Sequence, residues 1–237
     1  MKIKPIILPE VYNCLKKINL DFNQYTRYNT IIKEWLQPII DLSNFYVYPI
    51  NGITEGLNYW MGNESRGIFK DDGDYQWVDC TGTEIKYVTC PSAIHGNFID
   101  IPTDVPVALD IAYVGSTKIQ KIKIDDNVEK VFFSLSKSFG LRTIRTGWYF
   151  SRKPDVKLHK LHYKNKYYNY FAHLCAETII KNFPIDYVYN KLNAQQKSIC
   201  NNLNINQSDS VWLGYSYDDN YTKLSITNYF KNYLDET

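Results

Sequence analysis

The first 152 residues alternate between short strand-like runs and longer segments with helical spacing. The strand-like runs are rich in β-branched and aromatic residues, and they lie at 45–50, 67–70, 84–90, 105–112, 131–135 and 147–151. Apolar residues at helical spacing predict helices at 9–18 and 29–42, the second broken at Pro38, and a third helix that carries Leu57 and Trp60. Strands separated by helical or looped crossovers predict an α/β fold with a mostly parallel sheet flanked by helices.

One run, VPVALDIA at 105–112, is almost continuously apolar. Such a run is typical of a central strand that is buried on both faces. The alternation of a strand places Asp110 and Ala112 on one face at its C-terminal end. Ligands of α/β sheets bind beyond the carboxyl ends of the strands, so Asp110 is either a site residue or a cap of the element that follows.

The pattern changes after Pro154. Two helices followed by a hairpin are predicted there, at 156–182, 185–203, 211–217 and 221–227. We therefore predict two units: an α/β large domain with an N-terminal helical segment at 1–152, and a small α+β appendage of helices and hairpin at 153–237.

Composition narrows the classes of partner. The 27 basic and 25 acidic residues leave a formal charge of +2, which is too balanced to indicate binding to nucleic acid or to an anionic membrane. No segment has the roughly 20 apolar residues that span a bilayer. The five cysteines are scattered and lack the spacing of a zinc site or a disulfide framework. We expect a cytoplasmic protein without a metal site that acts on small molecules.

The stretch VFFSLSKSFGLRTIRTGW at 131–148 carries the strongest chemical signal. Lys137 follows a buried strand, and burial lowers the pKa of an amine. A neutral lysine amine is the nucleophile that attacks an aldehyde. Ser134, three residues before the lysine, and Arg145, eight residues after it, offer a hydroxyl and a guanidinium to a phosphate. An aldehyde together with a phosphate indicates pyridoxal phosphate (PLP).

A second signal is the segment Asn51-Gly52-Ile53-Thr54-Glu55-Gly56, which connects a predicted strand to a predicted helix. Glycine lets a backbone approach a ligand closely, and the N-terminus of a helix offers free N–H groups to an anion. Alternatively the segment is a plain helix start, in which Thr54 is the capping residue.

These residues, in this order, resemble the fold-type-I PLP-dependent enzymes of the class I/II aminotransferase group, which includes the aspartate and histidinol-phosphate aminotransferases. The resemblance extends from about residue 45 to residue 150 and is clearest at 105–113 and 131–148. It implies that Lys137 forms a Schiff base with PLP.

The resemblance also implies the other contacts of the cofactor. Asp110 would pair with the protonated pyridine nitrogen, Tyr113 would hydrogen-bond the ring 3-oxygen, and Ala112 would pack against the ring. Tyr75 would stack on the ring, with Trp77 as the second choice. The phosphate would be held by Gly52, Ile53, Thr54, Ser134 and Arg145. In this family a tyrosine of the neighbouring subunit often reaches the phosphate, which implies a homodimer; the candidates are Tyr28 and, behind it, Tyr25.

The chain departs from the family in two places, besides being shorter than typical members at its C-terminal end. The turn Pro-x-Asn-Pro-Thr-Gly corresponds to 91–96, which has no Asn, and Asn97 or His95 is the candidate replacement. No arginine follows Arg152, and Lys223 stands where the family has the arginine that binds the substrate α-carboxylate. Lys223 is therefore either a substrate-binding residue or a solvated strand residue.

The predicted function is amino-group transfer between an amino acid and a keto acid, with Lys137 moving the proton between the substrate and the cofactor. Two alternatives stay open: a PLP-dependent lyase or decarboxylase, and a catalytically reduced PLP-binding scaffold protein. The missing Asn and the short C-terminal part favour the scaffold, whereas the retained Lys137, Asp110, Tyr113 and Arg145 argue against it. The residues do not identify the amino acid.

Overall fold

The computed structural model describes residues 4–20, 28–216 and 222–230. Its helices and strands follow the order α1 Pro9–Lys16, α2 Tyr28–Leu36, β1 Tyr46–Ile50, α3 Ile53–Met61, β2 Ile68–Phe69, β3 Ile85–Thr89, β4 Val107–Asp110, β5 Val128–Ser134, α4 Leu135–Ser138, β6 Gly147–Ser151, α5 Val156–Leu158, α6 Tyr170–Asn182, α7 Tyr187–Asn202, β7 Asn206–Gln207, β8 Leu213–Ser216 and β9 Thr222–Ser225. The alternation predicted for the first 152 residues is confirmed, with shifted boundaries. The helix predicted at 29–42 ends at Leu36, just before Pro38.

The large sheet has the strand order β1-β6-β5-β4-β3-β2. Strands β2 to β5 are parallel to one another, whereas β6 is antiparallel to both of its neighbours, β1 and β5. The predicted α/β class, with a mostly parallel sheet flanked by helices, is therefore confirmed.

Both faces of this sheet are buried, as the continuous apolar run of β4 predicts. On β5, Val131 and Phe133 belong to one hydrophobic cluster, which also contains residues of α2, α6 and α7. The intervening Phe132 belongs to the opposite cluster, in which it packs with Trp60 of α3. The period of two along the strand thus distributes its side chains between two cores.

The strand pairing brings separate loops to one edge of the sheet. The carboxyl ends of β3 and β4 are adjacent because Thr89 pairs with Asp110. The antiparallel strand β6 begins at Gly147, which pairs with Ser134 of β5 on one side and with Ile50 of β1 on the other. The loops that follow β1, β3, β4 and β5 and the loop that precedes β6 therefore meet at this edge.

The single helix predicted at 156–182 is wrong. The segment consists of the short α5, a π-helical turn at His159–Lys164 and the separate helix α6. Asn169 accepts a hydrogen bond from the backbone N–H of Ala172 at 3.1 Å and so caps α6 as a new helix. Lys166 has a φ of 58°, which interrupts any continuous helix.

The predicted hairpin is present as the antiparallel pair β8–β9, and its turn at 217–221 lies outside the described residues. A strand that the sequence did not predict, β7, pairs with β8 and makes a three-stranded sheet. Trp212, in the segment before β8, donates a hydrogen bond from Nε1 to the backbone carbonyl of Lys137 at 2.6 Å. The C-terminal part therefore directly contacts the backbone of the residue predicted to bind PLP. The division of the chain at residue 152 stays a prediction.

Among the described residues, no helix combines the length and the apolar character that a membrane span requires.

Candidate active site

A cavity of about 180 Å³, here called the inner cavity, opens at the carboxyl edge of the large sheet. Its walls are formed by Ile53, Thr54, Tyr75, Thr89, Ala93, Asp110, Ala112, Tyr113, Ser134, Ser136, Lys137, Arg142 and Arg145. A second cavity, here called the outer cavity, shares Tyr75, Ala93, Tyr113, Lys137 and Arg142 with it and is further lined by Lys4, Gly73, Asp74, Gln76, Trp77 and Lys223.

Most of the predicted site residues meet in the inner cavity. Gly52 is not part of its wall but lies directly against the Arg145 guanidinium. Trp77 and Lys223 lie in the outer cavity, and Trp77 is 56% exposed. Tyr28 begins α2, but its side chain, like the whole of Tyr25, lies outside the described residues.

Lys137 lies at the boundary between the two cavities. It is partly buried in α4, directly after β5 ends at Ser134. Burial lowers the pKa of the Lys137 amine; the Asp110 carboxylate acts in the opposite sense, and the Lys223 ammonium lowers the pKa further. A larger fraction of this amine is therefore neutral than in an exposed lysine, as the sequence predicted.

Asp110 is the buried acid of the site, with 3% of its surface exposed. Its Oδ1 accepts a hydrogen bond from the backbone N–H of Ala112 at 2.7 Å, and its Oδ2 accepts one from the Tyr87 hydroxyl at 2.7 Å. Asp110 thus caps the turn after β4 and also lines the cavity, so both sequence alternatives hold. Burial raises the pKa of Asp110 to about 7, although the two hydrogen bonds lower it.

Sequence reasoning missed the residues behind Asp110. The fully buried Tyr87 and the cavity residue Thr89 share one face of β3. The Thr89 hydroxyl donates to Asp74 Oδ1 at 2.6 Å, and the backbone N–H of Tyr75 donates to the same oxygen at 2.6 Å. The spacing Tyr-x-Thr on a strand was a signal for a shared face, but only the pairing of β3 with β4 places that face beside Asp110.

The part of the inner cavity around Arg145 is suited to an anion. Gly52 has a φ of 85° and precedes α3 as its N-cap residue, without a side-chain hydrogen bond to the helix. A Cβ atom at Gly52 would lie 2.6 Å from Arg145 Nη2, so the arginine side chain packs against the start of α3. The alternative reading, in which Thr54 is the capping residue of α3, is wrong, because Gly52 occupies the N-cap position. The Thr54 hydroxyl lies 3.2 Å from the Tyr75 hydroxyl.

Two hydroxyls and two guanidinium groups among the residues of the inner cavity are available to a ligand. The Ser134 side chain makes no capping bond to α4, and the buried Ser136 Oγ finds no hydrogen-bond partner within the described part of the chain. Arg142 and Arg145 form no ion pair or side-chain hydrogen bond with any residue that the structure describes. An arginine fork and free hydroxyls are the groups that bind a phosphate. Ser136 and Arg142 were not predicted, although both flank Lys137 closely.

Neither candidate for the missing Asn lines the inner cavity in the described residues. The side-chain oxygen of Asn97 accepts a hydrogen bond from the backbone N–H of Asp209 at 2.9 Å, and Ala93 occupies the wall instead of Asn97 or His95. The carbonyl of Ala93 accepts a hydrogen bond from Lys223 Nζ. Burial lowers the pKa of Lys223, so it is not the solvated strand residue of the alternative reading.

Neither protein-family models nor curated proteins match the sequence. Solved structures do match the fold. An aminotransferase from Staphylococcus aureus aligns with a TM-score of 0.64 at 12% identity, covering 98% of this chain and 90% of its own. An aromatic aminotransferase from Pyrococcus horikoshii OT3 aligns with a TM-score of 0.67 at 11% identity, covering 90% and 78%. A PLP-bound C-S lyase from Staphylococcus hominis aligns with a TM-score of 0.64 at 12% identity, covering 95% and 76%. The chain therefore has the fold of these enzymes.

The contact between Gly52 and Arg145 predicts a selective loss of anion binding in Gly52→Ala. The new Cβ would displace the guanidinium, and losing a charge-assisted hydrogen bond should weaken phosphate binding about tenfold or more. Isothermal titration with inorganic phosphate measures this effect. Gly73→Ala is the matched control, because Gly73 has a similar φ of 82° but its Cβ would come no closer than 3.6 Å to another side chain. Equal losses in both variants would contradict the assignment.

The raised pKa of Asp110 predicts a pH-dependent cost to the cofactor-free protein. The folded state holds a proton on Asp110 up to about pH 7, whereas the ordinary pKa is 3.8. Stability should therefore fall as the pH rises through this window, by about 1.4 kcal/mol per unit of pKa difference at most. Asp110→Asn should flatten the fall and be more stable than the native chain at pH 8.

Thermal unfolding between pH 4 and pH 8 measures this difference, with the exposed Asp104→Asn as control. Parallel curves for the native chain and Asp110→Asn would refute the prediction.

Proposed function

We propose that this protein is a PLP-dependent enzyme that transfers an amino group between an amino acid and a keto acid. The observation that carries the proposal is the arrangement of the inner cavity, with the buried Asp110 in its wall, a phosphate-binding set around Arg145, and the Lys137 amine also lining it. The fold shared with aminotransferases and with a PLP-bound lyase supports the same conclusion.

The residues present fit PLP, whose phosphate, aldehyde and pyridine nitrogen need three different partners. The phosphate matches the Ser136 hydroxyl, which has no partner among the residues that the structure describes, and the Gly52–Arg145 contact, which leaves no room for a Cβ. The ligands proposed for the phosphate are Gly52, Ile53, Thr54, Ser134, Ser136 and Arg145. Those proposed for the ring are Tyr75, Asp110, Ala112 and Tyr113.

When bound, PLP supplies a protonated pyridine ring that accepts electrons from the substrate Cα. Asp110 holds the proton at the pyridine nitrogen, and a cation beside this carboxylate stabilises its charged form. Lys137, whose pKa is lowered, carries the proton to and from the substrate Cα. Tyr113, which lines the inner cavity, would hydrogen-bond the ring oxygen.

A lyase is the second candidate, because a PLP-bound C-S lyase is among the similar structures. The two reactions share the removal of the α-proton and therefore the roles of Lys137 and Asp110. A scaffold protein, by contrast, gains nothing from an acid whose pKa is raised by burial or from a buried serine hydroxyl that lacks a partner in the described part of the chain. The homodimer in which Tyr28 reaches the phosphate of the other copy, and the cytoplasmic location, belong to the same proposal.

Lys137→Met should abolish covalent capture of PLP. Borohydride treatment of the native protein mixed with PLP should fix the cofactor to Lys137, as measured by mass spectrometry of peptides. Lys130→Met is the matched control, since Lys130 is also partly buried with a lowered pKa but bonds Ser151 outside the cavity. Absence of any adduct in the native protein, or its persistence in Lys137→Met, would overturn the proposal.

Products distinguish the two reactions. If the protein is an aminotransferase, its PLP-loaded form supplied with an amino acid should yield a new amino acid only when a keto acid is added. Formation of pyruvate and ammonia without a keto acid would identify the lyase.

For the substrate α-carboxylate we propose Lys223 as the ligand. Lys223→Met should raise KM about tenfold or more, because a charge-assisted hydrogen bond is lost, and should leave PLP binding unchanged. Arg142→Gln is the comparison, since Arg142 lines the same outer cavity without an ion pair among the described residues. Steady-state kinetics with several amino acids measures both effects. A larger rise in Arg142→Gln than in Lys223→Met would move the carboxylate to Arg142.

A further inference from the structure

A chain of polar side chains extends from the outer cavity to the buried Asp110. Asp74 lines the outer cavity. The Thr89 hydroxyl donates to Asp74 Oδ1 at 2.6 Å and lies 3.4 Å from the Tyr87 hydroxyl, which donates to Asp110 Oδ2 at 2.7 Å. Two hydroxyl groups thus lie side by side between two carboxylates, and each donates its proton to one of them.

The proton count fixes the direction of each hydrogen bond. A hydroxyl has one proton, so Thr89 donates to Asp74 while Tyr87 donates to Asp110. Tyr87 is fully buried, and its phenol pKa is raised well above the ordinary value by burial and by the nearby Asp110 carboxylate. The phenol therefore stays protonated and remains a donor.

Among the described residues, the charged and titratable groups around Asp110 come from several elements. From β3 comes Tyr87, and from the loop before β3 comes Asp74, whose charge raises the pKa of Asp110. From α4 comes Lys137, whose charge lowers that pKa. Tyr75 and Tyr113 also lie near Asp110, and Arg142 and Arg145 line the same cavity.

We propose that Tyr87 is the positioning residue that holds Asp110 for a cationic ring nitrogen in the inner cavity, with Asp74 acting on Asp110 through its charge. With Ala112 N–H on Oδ1 and Tyr87 on Oδ2, both carboxylate oxygens are fixed by donors. Tyr87 stabilises the charged form of Asp110, and Asp74 destabilises it. Asp74 and Lys223 both line the outer cavity, and the charge of Asp74 raises the pKa of Lys223. Asp74 therefore lies near the proposed binding site of the substrate carboxylate.

The inference deepens the proposed function and rests on it. The effects of Tyr87 and Asp74 on Asp110 can nevertheless be tested without the cofactor. The experiment is a pH titration of cofactor-free protein labelled with ¹³C at the aspartate carboxyl carbons, followed by NMR. The Asp110 resonance is assigned by its loss in Asp110→Asn. Three variants are compared with the native chain: Tyr87→Phe, Asp74→Asn and Tyr163→Phe.

The midpoint of the Asp110 titration is expected to shift in opposite directions in Tyr87→Phe and Asp74→Asn. Tyr87→Phe removes a donor to the carboxylate and should raise the midpoint of the Asp110 titration by about one pH unit. Asp74→Asn removes a negative charge and should lower it. Tyr163→Phe deletes a phenol that donates to the Val47 carbonyl at 2.7 Å, outside both cavities, and should leave the midpoint unchanged.

A merely structural role for Tyr87 and Asp74 would not produce shifts of opposite sign. Shifts of one sign in both variants, or a Tyr87→Phe titration equal to that of Tyr163→Phe, would overturn the positioning role of Tyr87. PLP affinity is measured separately by titration, and Tyr87→Phe should weaken it more than Tyr163→Phe does. If the native protein binds no PLP but the opposite shifts occur, the positioning of Asp110 by Tyr87 stands and the proposed function fails.

Discussion

The register between the parallel strands β3 and β4 is the constraint on which the site depends. It sets Thr89 beside Asp110 at the carboxyl edge of the sheet, where both side chains reach the inner cavity. The antiparallel strand β6 then places Gly147 between Ile50 and Ser134, so that the loop carrying Arg145 meets the start of α3. A register shift by one residue would turn Asp110 into the opposite core and separate these groups.

The same edge concentrates groups that are unfavourable for folding alone. Asp110 is a buried acid whose charged form is destabilised by desolvation, and Ser136 has a buried hydroxyl without a partner in the described chain. Arg145 has a φ of 61°, a backbone conformation that a residue with a Cβ adopts at some cost. Local strain and incomplete satisfaction of this kind are typical of binding sites, where a ligand supplies the missing partner.

The sequence predicts the parts of this arrangement that follow from local pattern. The apolar run of β4 indicates a buried central strand, and Lys137 and Asp110 follow from their places at strand ends. Tyr87 acquires its role only through pairing with a strand some twenty residues away, which no local pattern encodes. The break in the helix predicted at 156–182 was missed for a different reason, since Asn169 caps α6 as a new helix within a segment of helical spacing.

Two charged groups shift the pKa of Lys137 in opposite directions, and one of them lies in each cavity. The Asp110 carboxylate raises the pKa of its amine, whereas burial and the Lys223 ammonium lower it. An anionic group bound at Lys223 would offset the positive charge there and so raise the pKa of Lys137. The lysine would then be a stronger base when the outer cavity is occupied than when it is empty.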